Sequence, residues 1–294
     1  MTATGGRPVL VTGATGRIGR AVVDLLTGAG VPVRALVRRP GAATDLPDTV
    51  ETVTGDLTEP GSLDPALRAV DTVLLVWTAP LRTAAAVVDR LAAEPRRVVY
   101  LSAPHRTPHP FFQQPNPMAA RHAEIERLIA AAGLDATIVR PGMFASNALH
   151  WWSAAVRGDG VVRWPYGTAE TAPVDDRDVA AVIARTLRAD GDAAGDHVLT
   201  GPESLTQAEQ VRLLGDALGR RLTFEELPPD EFRRQAPEDA RPAVDMLLAA
   251  WSAATGRPAY VTSTVADLLG RPARTFRQWA VDHATSFTGA PPPR

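Results

Sequence analysis

A glycine-rich segment near the start of the sequence constrains the fold more than any other feature. The apolar run Pro8–Thr12 leads into it, and Gly13, Gly16 and Gly19 follow with the spacing GxxGxxG. Glycine is needed where a strand turns tightly into a helix, where backbone approaches a pyrophosphate, and where helix and strand pack closely. The amide groups at the helix start then face the phosphates. Because the triplet follows a first strand and opens an amphipathic helix, it predicts a dinucleotide-binding turn.

Strands and helices alternate through the first half of the chain. Short apolar runs predict buried parallel strands, and helical spacing of apolar residues predicts the helices between them. The predicted strands after the first are Val33–Val37, Val50–Thr54, Thr72–Trp77, Arg97–Leu101 and Ala136–Arg140, and the predicted helices are Arg17–Ala29, Gly61–Val70, Arg82–Ala93 and Pro117–Ala132. This alternation predicts an α/β fold with a Rossmann-like, doubly wound parallel sheet that helices cover on both faces.

The regular alternation ends near Ala145. A helix at Val174–Leu187 and a strand at His197–Leu199 are expected to return to the sheet, and the other predicted helices are Thr206–Leu218, Asp230–Arg234, Pro242–Ala254 and Thr275–Thr285. We therefore expect a nucleotide-binding domain of residues 1–145 together with 174–200. Residues 146–173 and 201–288 are expected to form a smaller, mainly helical C-terminal substrate lobe, and residues 289–294 a disordered, Pro-rich tail.

Composition limits the classes of protein and of chemistry. The 294 residues are 45% hydrophobic and 22% charged, with a net charge of −2, which suits a globular protein and gives no reason to expect a nucleic-acid partner. No run approaches the roughly 18 apolar residues of a membrane span, and no secretory signal is evident. We therefore expect a soluble, cytoplasmic protein without a membrane partner. The oligomeric state is not predicted.

Two residue types are missing from the sequence. There is no cysteine, and every residue in the combined Lys+Arg count of 31 is arginine. Disulfides, thiolate metal sites and a cysteine nucleophile are therefore excluded, as is any mechanism that needs a lysine. No metal site is predicted.

The end of the second predicted strand bears on the choice of dinucleotide. An acidic residue there holds the ribose 2′-hydroxyl of NAD, whereas an arginine accommodates the 2′-phosphate of NADP. Here the strand ends in Val37-Arg38-Arg39-Pro40, without an acid. This pattern predicts NADP(H) as cofactor, with Arg38 and Arg39 facing the phosphate. Asp56, after the third strand, is expected either to accept from the adenine amino group or to serve only as a turn residue.

Several motifs together resemble one known family over nearly the whole chain. They are TGATGRIGR, Gly55-Asp56-Leu57, Tyr100-Leu101-Ser102-Ala103, Ile138–Gly142, Pro173–Ala180, Leu199–Glu203 and Gly270–Thr275. With these the chain resembles the NmrA-like, atypical branch of the short-chain dehydrogenase/reductases. The resemblance implies a Rossmann-like domain, a small substrate lobe and a cleft between them. It leaves the chemistry open, because the group contains reductases, isomerising relatives and redox-sensing regulators.

The proton-transfer pair of the larger superfamily is absent. There, a serine at the end of the fifth strand lies beside a Tyr-x-x-x-Lys on the next helix, and the lysine lowers the tyrosine pKa. The resemblance places Ser102 at the serine position, Met118 at the tyrosine position and His122 at the lysine position. Methionine cannot donate a proton. Ser102 is expected to hydrogen-bond a substrate carbonyl. His122 is expected either to orient the nicotinamide ribose or to be a surface histidine paired with Glu126.

The resemblance also implies the residues of both binding sites. Those expected at the cofactor are Gly13, Thr15, Gly16, Arg17, Ile18, Gly19, Arg38, Arg39, Asp56, Trp77, Ser102, His122, Pro141, Gly142 and Phe144. Those expected at the substrate are Phe111, Phe112, Met118, Met143, Asn147, Trp151, Trp152 and Tyr166, with the Pro-rich loop Ala103–Pro117 long enough to be a lid. Of the three tyrosines, only Tyr166 is expected near the substrate, since Tyr100 lies in a strand and Tyr260 far along the lobe.

The function that follows is an NADPH-dependent ketoreductase with Ser102 and His122 at its catalytic centre. Its aromatic side chains suit a bulky aromatic carbonyl compound. The chain resembles atypical actinomycete angucyclinone ketoreductases of antibiotic biosynthesis, which also lack the Tyr–Lys pair. The proton is expected from the substrate or solvent, or from Ser102 or His105. The alternatives are a non-catalytic, NADP(H)-sensing regulator and a quinone or double-bond reductase.

Overall fold

Strands and helices alternate through the first 200 residues, and the computed structural model describes residues 6–41, 43–188 and 195–289. The strands are β1 Val9–Val11, β2 Val33–Val37, β3 Glu51–Thr54, β4 Thr72–Val76, β5 Arg97–Leu101, β6 Asp135–Pro141, β7 Val161–Trp164, β8 Glu170–Thr171, β9 Gly195–Leu199, β10 Leu205–Thr206 and β11 Thr223–Glu226. The α-helices are α1 Arg17–Gly28, α2 Asp64–Leu67, α3 Ala84–Ala92, α4 Pro117–Ala131, α5 Asn147–Arg157, α6 Asp176–Arg188, α7 Gln207–Leu218, α8 Pro229–Gln235, α9 Arg241–Ala254, α10 Thr264–Leu269, α11 Phe276–Asp282 and α12 Ala284–Thr288.

Seven strands form one parallel sheet in the order β3-β2-β1-β4-β5-β6-β9. Strand β1 is paired with β2 on one side and with β4 on the other. The chain therefore reverses its direction of winding at β1, and the loops after β1 and β4 diverge. A crevice opens at the carboxyl ends of the strands at such a point. The predicted Rossmann-like, doubly wound α/β fold is confirmed.

Each face of the sheet has its own apolar cluster, because successive strand residues point to opposite faces. On one face, Val22 of α1 and Ile183 of α6 pack with Val11 and Val99, all fully buried. On the other face, α3 and α4 pack against the strands through the buried side chains Val87, Val88, Ile125 and Ile129. Two buried layers of helix thus hold the strand ends in place.

The C-terminal part of the chain has separate apolar clusters. In one, Trp152 of α5, Leu214 of α7 and Trp279 of α11 are almost fully buried together. In the other, Phe111 of the loop after β5 packs with Trp251 of α9. This packing supports the predicted division near residue 145, which stays a prediction. Among the described residues, no helix combines the length and apolar character needed to cross a membrane.

Some predicted elements differ from the observed ones. The predicted helix Gly61–Val70 contains only the single α-helical turn α2, because the chain leaves the helical conformation at Arg68 and takes a positive φ of 55° at Ala69. The predicted helix Thr275–Thr285 is divided at His283 into α11 and α12. Helix α5 lies in a segment for which no helix was predicted. The predicted disordered tail lies outside the described residues, except for Gly289.

Candidate functional site

The glycine-rich turn has the tight geometry that its sequence predicts. Gly13 takes a positive φ of 63°, and the Gly16 amide donates to the Gly13 carbonyl oxygen at 2.9 Å. A Cβ atom at Gly19 would lie 2.2 Å from that same oxygen, closer than any real contact. Helix α1 begins directly afterwards, at Arg17. Only glycine allows this close approach of helix to turn, and the turn leaves an open backbone cradle of the kind that holds a pyrophosphate.

A cleft of about 460 Å³, open to solvent, runs from this turn along the carboxyl ends of the strands. The predicted cofactor residues that line it are Gly13, Thr15, Gly16, Arg17, Ile18, Gly19, Arg38, Arg39, Asp56 and Phe144. It is also lined by residues that were not predicted, namely Thr12, Leu36, Val37, Gly55, Leu57, Val76, Thr78 and Leu101. The cleft reaches from the end of β2 to the end of β5, as an extended dinucleotide requires.

Three arginines lie along this cleft, and they differ in their partners. Arg17 is paired, with Nε 2.8 Å from an oxygen of Asp176 and its guanidinium 5.6 Å from the centre of the Phe144 ring. Arg38 and Arg39 are exposed at the end of β2, and neither forms an ion pair with any described residue. Two unpaired guanidinium groups at this end of the cleft can receive a phosphate.

Asp56 has a structural partner of its own. One carboxylate oxygen accepts a hydrogen bond from the Thr58 amide at 2.8 Å, as in a turn after a strand. The turn role is therefore observed, and the contact with adenine stays a prediction.

Trp77 does not lie at the cleft, and its predicted cofactor contact is wrong. Its side chain is 5% exposed and packs in the cluster formed with α3 and α4. The neighbouring residues Val76 and Thr78 line the cleft instead. Alternation of side chains along the strand explains the difference. Pro141 is buried at the end of β6, and Gly142 beside it lines a second, smaller cavity.

Ser102 follows β5 and belongs to a buried ionic network. Its hydroxyl donates to Glu126 of α4 at 2.5 Å, and the guanidinium of Arg140 in β6 binds both oxygens of Glu126, at 2.8 and 2.5 Å. The ring nitrogen Nε2 of His105 lies 3.3 Å from Glu126. Because the Ser102 proton is directed to Glu126, the hydroxyl oxygen can only accept from a ligand. The expected donation from Ser102 to a substrate carbonyl is therefore wrong for this arrangement.

His122 lies beside this network and is paired with a tyrosine. It is 8% exposed on α4, and its Nδ1 is 2.6 Å from the hydroxyl of the fully buried Tyr100. The alternative of a surface histidine paired with Glu126 is therefore wrong. Burial, together with the charge of Arg121, lowers the pKa of His122 to about 4. Burial and the nearby Glu126 raise the pKa of Tyr100. Both groups are neutral at ordinary pH, and the tautomer of His122 determines which of the two donates in this hydrogen bond.

The loop after β5 closes a small cavity against the C-terminal lobe. The cavity is small, with about 10 Å³ for water-sized molecules, and its lining includes the predicted substrate residues Phe111, Phe112 and Met143. His109 in this loop accepts from the Phe111 amide through Nδ1 and contacts the Pro258 carbonyl through Nε2 at 3.0 Å. The loop is thus fastened to the segment before Tyr260.

The remaining predicted substrate residues do not line this cavity, although Trp151 and Tyr166 pack in the same apolar cluster as Phe111. The predicted substrate contact of Trp152 is wrong. Its side chain is 1% exposed in the core of the lobe and has no surface that a ligand could contact. Trp151 packs against Trp164 and Trp251, with ring centres 5.7 and 5.5 Å apart. Asn147 begins α5, Met118 is 47% exposed in the first turn of α4, and Tyr166 has a positive φ of 55° in a turn held by Glu226.

Sequence reasoning missed four residues of this region. Tyr260 lines the small cavity under the loop, whereas only Tyr166 was expected near the substrate. Glu126 and Arg140 hold Ser102, and Tyr100 holds His122. One signal was available: an arginine inside the apolar run before Pro141 needs a buried counter-charge.

Comparison with known proteins agrees with this geometry. The model of a family described as NAD(P)H-binding matches residues 13–190, more than half of the chain. A Streptomyces griseus protein named (4-alkanoyl-5-oxo-2,5-dihydrofuran-3-yl)methyl phosphate reductase is 41% identical over 95% of this chain and 99% of its own. The NAD(P)H azoreductase of Xenophilus azovorans is 32% identical over 96% of this chain and 100% of its own.

A solved structure shows the same fold at lower sequence identity. The triphenylmethane reductase of Citrobacter sp., in complex with NADP(H), has a TM-score of 0.81 at 21% identity and covers 94% of this chain and 99% of its own. The chain belongs to the NAD(P)H-binding family, with an NmrA-like, atypical short-chain dehydrogenase/reductase fold, and it is an oxidoreductase that works with NAD(P)H.

Proposed function

We propose that this chain is an NADPH-dependent reductase of a small carbonyl compound whose reducible double bond is conjugated, such as a quinone or an unsaturated furanone. The observation that carries the proposal is the lack of a general acid at the positions where the superfamily has its tyrosine and lysine. Met118 stands at the tyrosine position, and the His122 pKa of about 4 keeps that imidazole neutral. General acid catalysis typically contributes about 10²–10⁴ in rate, so its absence favours a substrate that does not need it.

The chemistry of the substrate decides how much an acid matters. NADPH, when bound, supplies a hydride. An isolated ketone that accepts a hydride becomes a strongly basic alkoxide and needs a proton at once. A conjugated carbonyl spreads the charge over an enolate or a hydroquinone anion, which is far less basic and can take its proton from water. In this chain, the neutral His122 suits the second case, because it can offer a hydrogen bond without giving up a proton.

The relatives support the same class of acceptor. They are named for an alkanoyl-oxo-dihydrofuran phosphate and for azo compounds. For this chain we propose only the class of substrate that these names share, a compound with an electron-poor double bond. The cofactor preference is supported by Arg38 and Arg39, which are unpaired within the described part of the chain and lie where a 2′-phosphate is bound in this fold.

A bulky polycyclic ketone, as in angucyclinone biosynthesis, has less support as the substrate. The cavity under the loop leaves only about 10 Å³ for water-sized molecules, so in this arrangement its size does not discriminate between acceptors. Much of the aromatic surface that suggested a flat polycycle is used internally, since Trp151, Trp164 and Trp251 pack on one another.

A steady-state comparison of acceptors tests the proposal. The panel contains a quinone, an acylated unsaturated furanone, the matching saturated furanone and an isolated aromatic ketone. We expect NADPH oxidation with the quinone or the unsaturated furanone at a kcat/KM at least about a hundredfold above that for the isolated ketone. Faster reduction of the isolated ketone would show that an acid acts at the site and would reject the proposal.

One further side chain bears on the charge of the substrate. Arg121, next to His122, forms no ion pair with a described carboxylate, and its buried Nε has no hydrogen-bond partner there. We propose that it attracts an acceptor with a negatively charged substituent, such as the phosphate in the name of the Streptomyces griseus relative. Arg127 on the same helix is the matched control, because it is already paired with Glu124.

The two arginines predict different kinetics. We expect Arg121→Gln to raise KM for a phosphorylated furanone about tenfold or more and to leave KM for a neutral quinone nearly unchanged. Arg127→Gln should change neither value. Equal changes for the charged and the neutral acceptor in Arg121→Gln would remove the argument for an anionic substrate.

A further inference from the structure

We propose that Tyr100 is a positioning residue, which holds His122 in the tautomer with its hydrogen on Nε2 and so makes His122 the hydrogen-bond donor at the catalytic end of the cleft. The group that accepts this hydrogen bond is a ligand oxygen, either a ribose hydroxyl of the dinucleotide or the carbonyl oxygen of the substrate. The second possibility rests on the proposed function. Neither Tyr100 nor this tautomer is implied by the superfamily pattern, which has a lysine at this position.

The geometry of the pair leaves little freedom. Tyr100 is fully buried within β5, and its hydroxyl is 2.6 Å from Nδ1 of His122. The two ring centres are 5.7 Å apart with an interplanar angle of 42°. The hydroxyl hydrogen of Tyr100 has no other acceptor among the described residues, so the phenol donates to Nδ1, and Nδ1 is then the unprotonated nitrogen. The hydrogen of the imidazole is therefore on Nε2.

The charged groups around His122 keep it neutral. Burial and the cation of Arg121 lower the pKa of His122 most strongly, Glu126 acts in the opposite direction, and His105 lowers it slightly. The result, about 4, means that the ring is uncharged at any pH above about 5. Burial raises the pKa of Tyr100, so this phenol does not pass its proton through the ring. His122 therefore offers a hydrogen bond and keeps its proton.

His122 lies close to the cleft but is not part of its lining, and the same holds for Ser102. The first turns of α4 follow the loop that leaves β5, at the same edge of the sheet as the cleft, and Leu101 at the end of β5 lines that cleft. No described residue accepts a hydrogen bond from Nε2 of His122. Beside it, Ser102 has given its own hydrogen to Glu126 and can accept. The strand end thus presents one donor and one acceptor.

Nitrogen NMR of the full-length protein with ¹⁵N-labelled histidine tests the tautomer directly. The sequence has six histidines, and the His122 signals are identified by their loss in His122→Gln. We expect an Nε2–H pattern that does not change between about pH 5.5 and 8, with or without NADPH. An Nδ1–H pattern, or a titration with a midpoint near 6.5, overturns the proposal. This measurement needs no substrate, so it stands even if every acceptor in the panel fails.

Three variants test the role of the pair. In Tyr100→Phe, we expect the Nδ1–H tautomer to become populated, while Tyr260→Phe, the control, leaves the His122 signals unchanged. His122→Gln places an amide donor near the position of Nε2, and His122→Asn places it near Nδ1. We therefore expect the NADPH affinity or the kcat of His122→Gln to be at least about tenfold higher than that of His122→Asn.

Measurements of NADPH affinity and of kcat in these variants show which oxygen accepts the hydrogen bond from His122. A tenfold loss of NADPH affinity in Tyr100→Phe and His122→Asn indicates the ribose hydroxyl. A loss of kcat at saturating NADPH, with the affinity unchanged, indicates the substrate oxygen. If neither changes while the NMR spectrum shows the new tautomer, the donor has no ligand and the proposal is wrong. If Tyr100→Phe does not fold, the comparison of Gln with Asn at position 122 decides.

Discussion

At the residue scale, Arg38 and Arg39 are expected to decide between the two dinucleotides. They follow β2, line the cleft, and are unpaired within the described residues. We expect Arg38→Ala to weaken NADPH binding by about 10- to 150-fold, because a charge-assisted phosphate contact contributes about 1.5–3 kcal/mol. NADH binding should change little. Fluorescence titration of both nucleotides measures this, and equal affinities for NADPH and NADH in the unmodified protein would reject the assignment.

His122 gives the protein a specific sensitivity to acid. Its pKa falls from 6.5 to about 4 on folding, so the unfolded chain binds a proton more readily than the folded one between these values. Stability is therefore fully present above pH 6.5 and decreases as the pH falls toward 4, by at most about 3 kcal/mol from this group. Denaturant titrations of the unmodified protein and of His122→Gln measure the difference.

Two histidine variants test this pH dependence of stability. His122→Gln should lose less stability than the unmodified protein between pH 6.5 and 4. His150→Gln, at an exposed position on α5, should follow the unmodified protein. Identical pH dependence in all three proteins would show that His122 is protonated as easily in the folded state as in the unfolded one.

The sequence predicts single residues well where a local pattern demands them. The spacing of Gly13, Gly16 and Gly19 and the arginines after β2 are of this kind. The pairing of Tyr100 with His122 and of Glu126 with Arg140 has no local pattern, because each pair joins elements that only the tertiary fold brings together. A buried charge in an apolar strand signals that a partner exists, and the fold is needed to name it.

At the scale of elements, the turn between β1 and α1 depends on close approach of backbone to backbone. We expect Gly19→Ala to abolish dinucleotide binding or to destabilise the fold, since the new Cβ would lie 2.2 Å from the Gly13 carbonyl oxygen. Gly28→Ala, at the other end of α1, meets no atom within 4 Å and is the control. Calorimetric titration with NADPH compares the two. Unchanged affinity in Gly19→Ala would mean that the turn opens without cost.

Strand β6 and helix α4 are joined by the buried ion pair of Arg140 and Glu126. Both side chains are about 5% exposed, so Arg140→Met leaves a buried, unpaired carboxylate. We expect a loss of about 3–5 kcal/mol in the free energy of unfolding. The double variant Arg140→Met with Glu126→Leu should recover much of it. Urea unfolding measures both, and a loss below about 1 kcal/mol in the single variant would contradict the buried pairing.

Periodicity predicts elements that have a strong local signal. The strands of the sheet and the long helices α1 and α4 lie within a residue or two of their predicted bounds. Helix α5 was missed because its tryptophans were interpreted as a binding surface, whereas Trp152 packs in the core. The helix predicted after β3 is only one turn long in the structure, because the chain takes a positive φ at Ala69 where it enters β4.

At the scale of the whole molecule, the cleft and the polar groups at the end of β5 are compatible with two roles. A reductase transfers hydride from the dinucleotide to a substrate, whereas a sensor binds the same dinucleotide and responds to its redox state. The open cleft beside Arg38 and the glycine turn serve both. The hydrogen-bonded groups Ser102 and His122 at the end of β5, together with the reductases to which the chain is similar, support the reductase. The substrate lobe is thus expected to select the acceptor.

Isotope transfer tests this conclusion most directly. NADPH deuterated at the transferred position of its nicotinamide is mixed with the protein and an acylated, phosphorylated unsaturated furanone, and the product is analysed by mass spectrometry. The reductase account predicts one deuterium on carbon in the reduced furanone for each NADPH consumed. Tight binding of NADPH with no deuterium in any conjugated acceptor, and an affinity that differs between NADPH and NADP⁺, would contradict it and indicate a sensor.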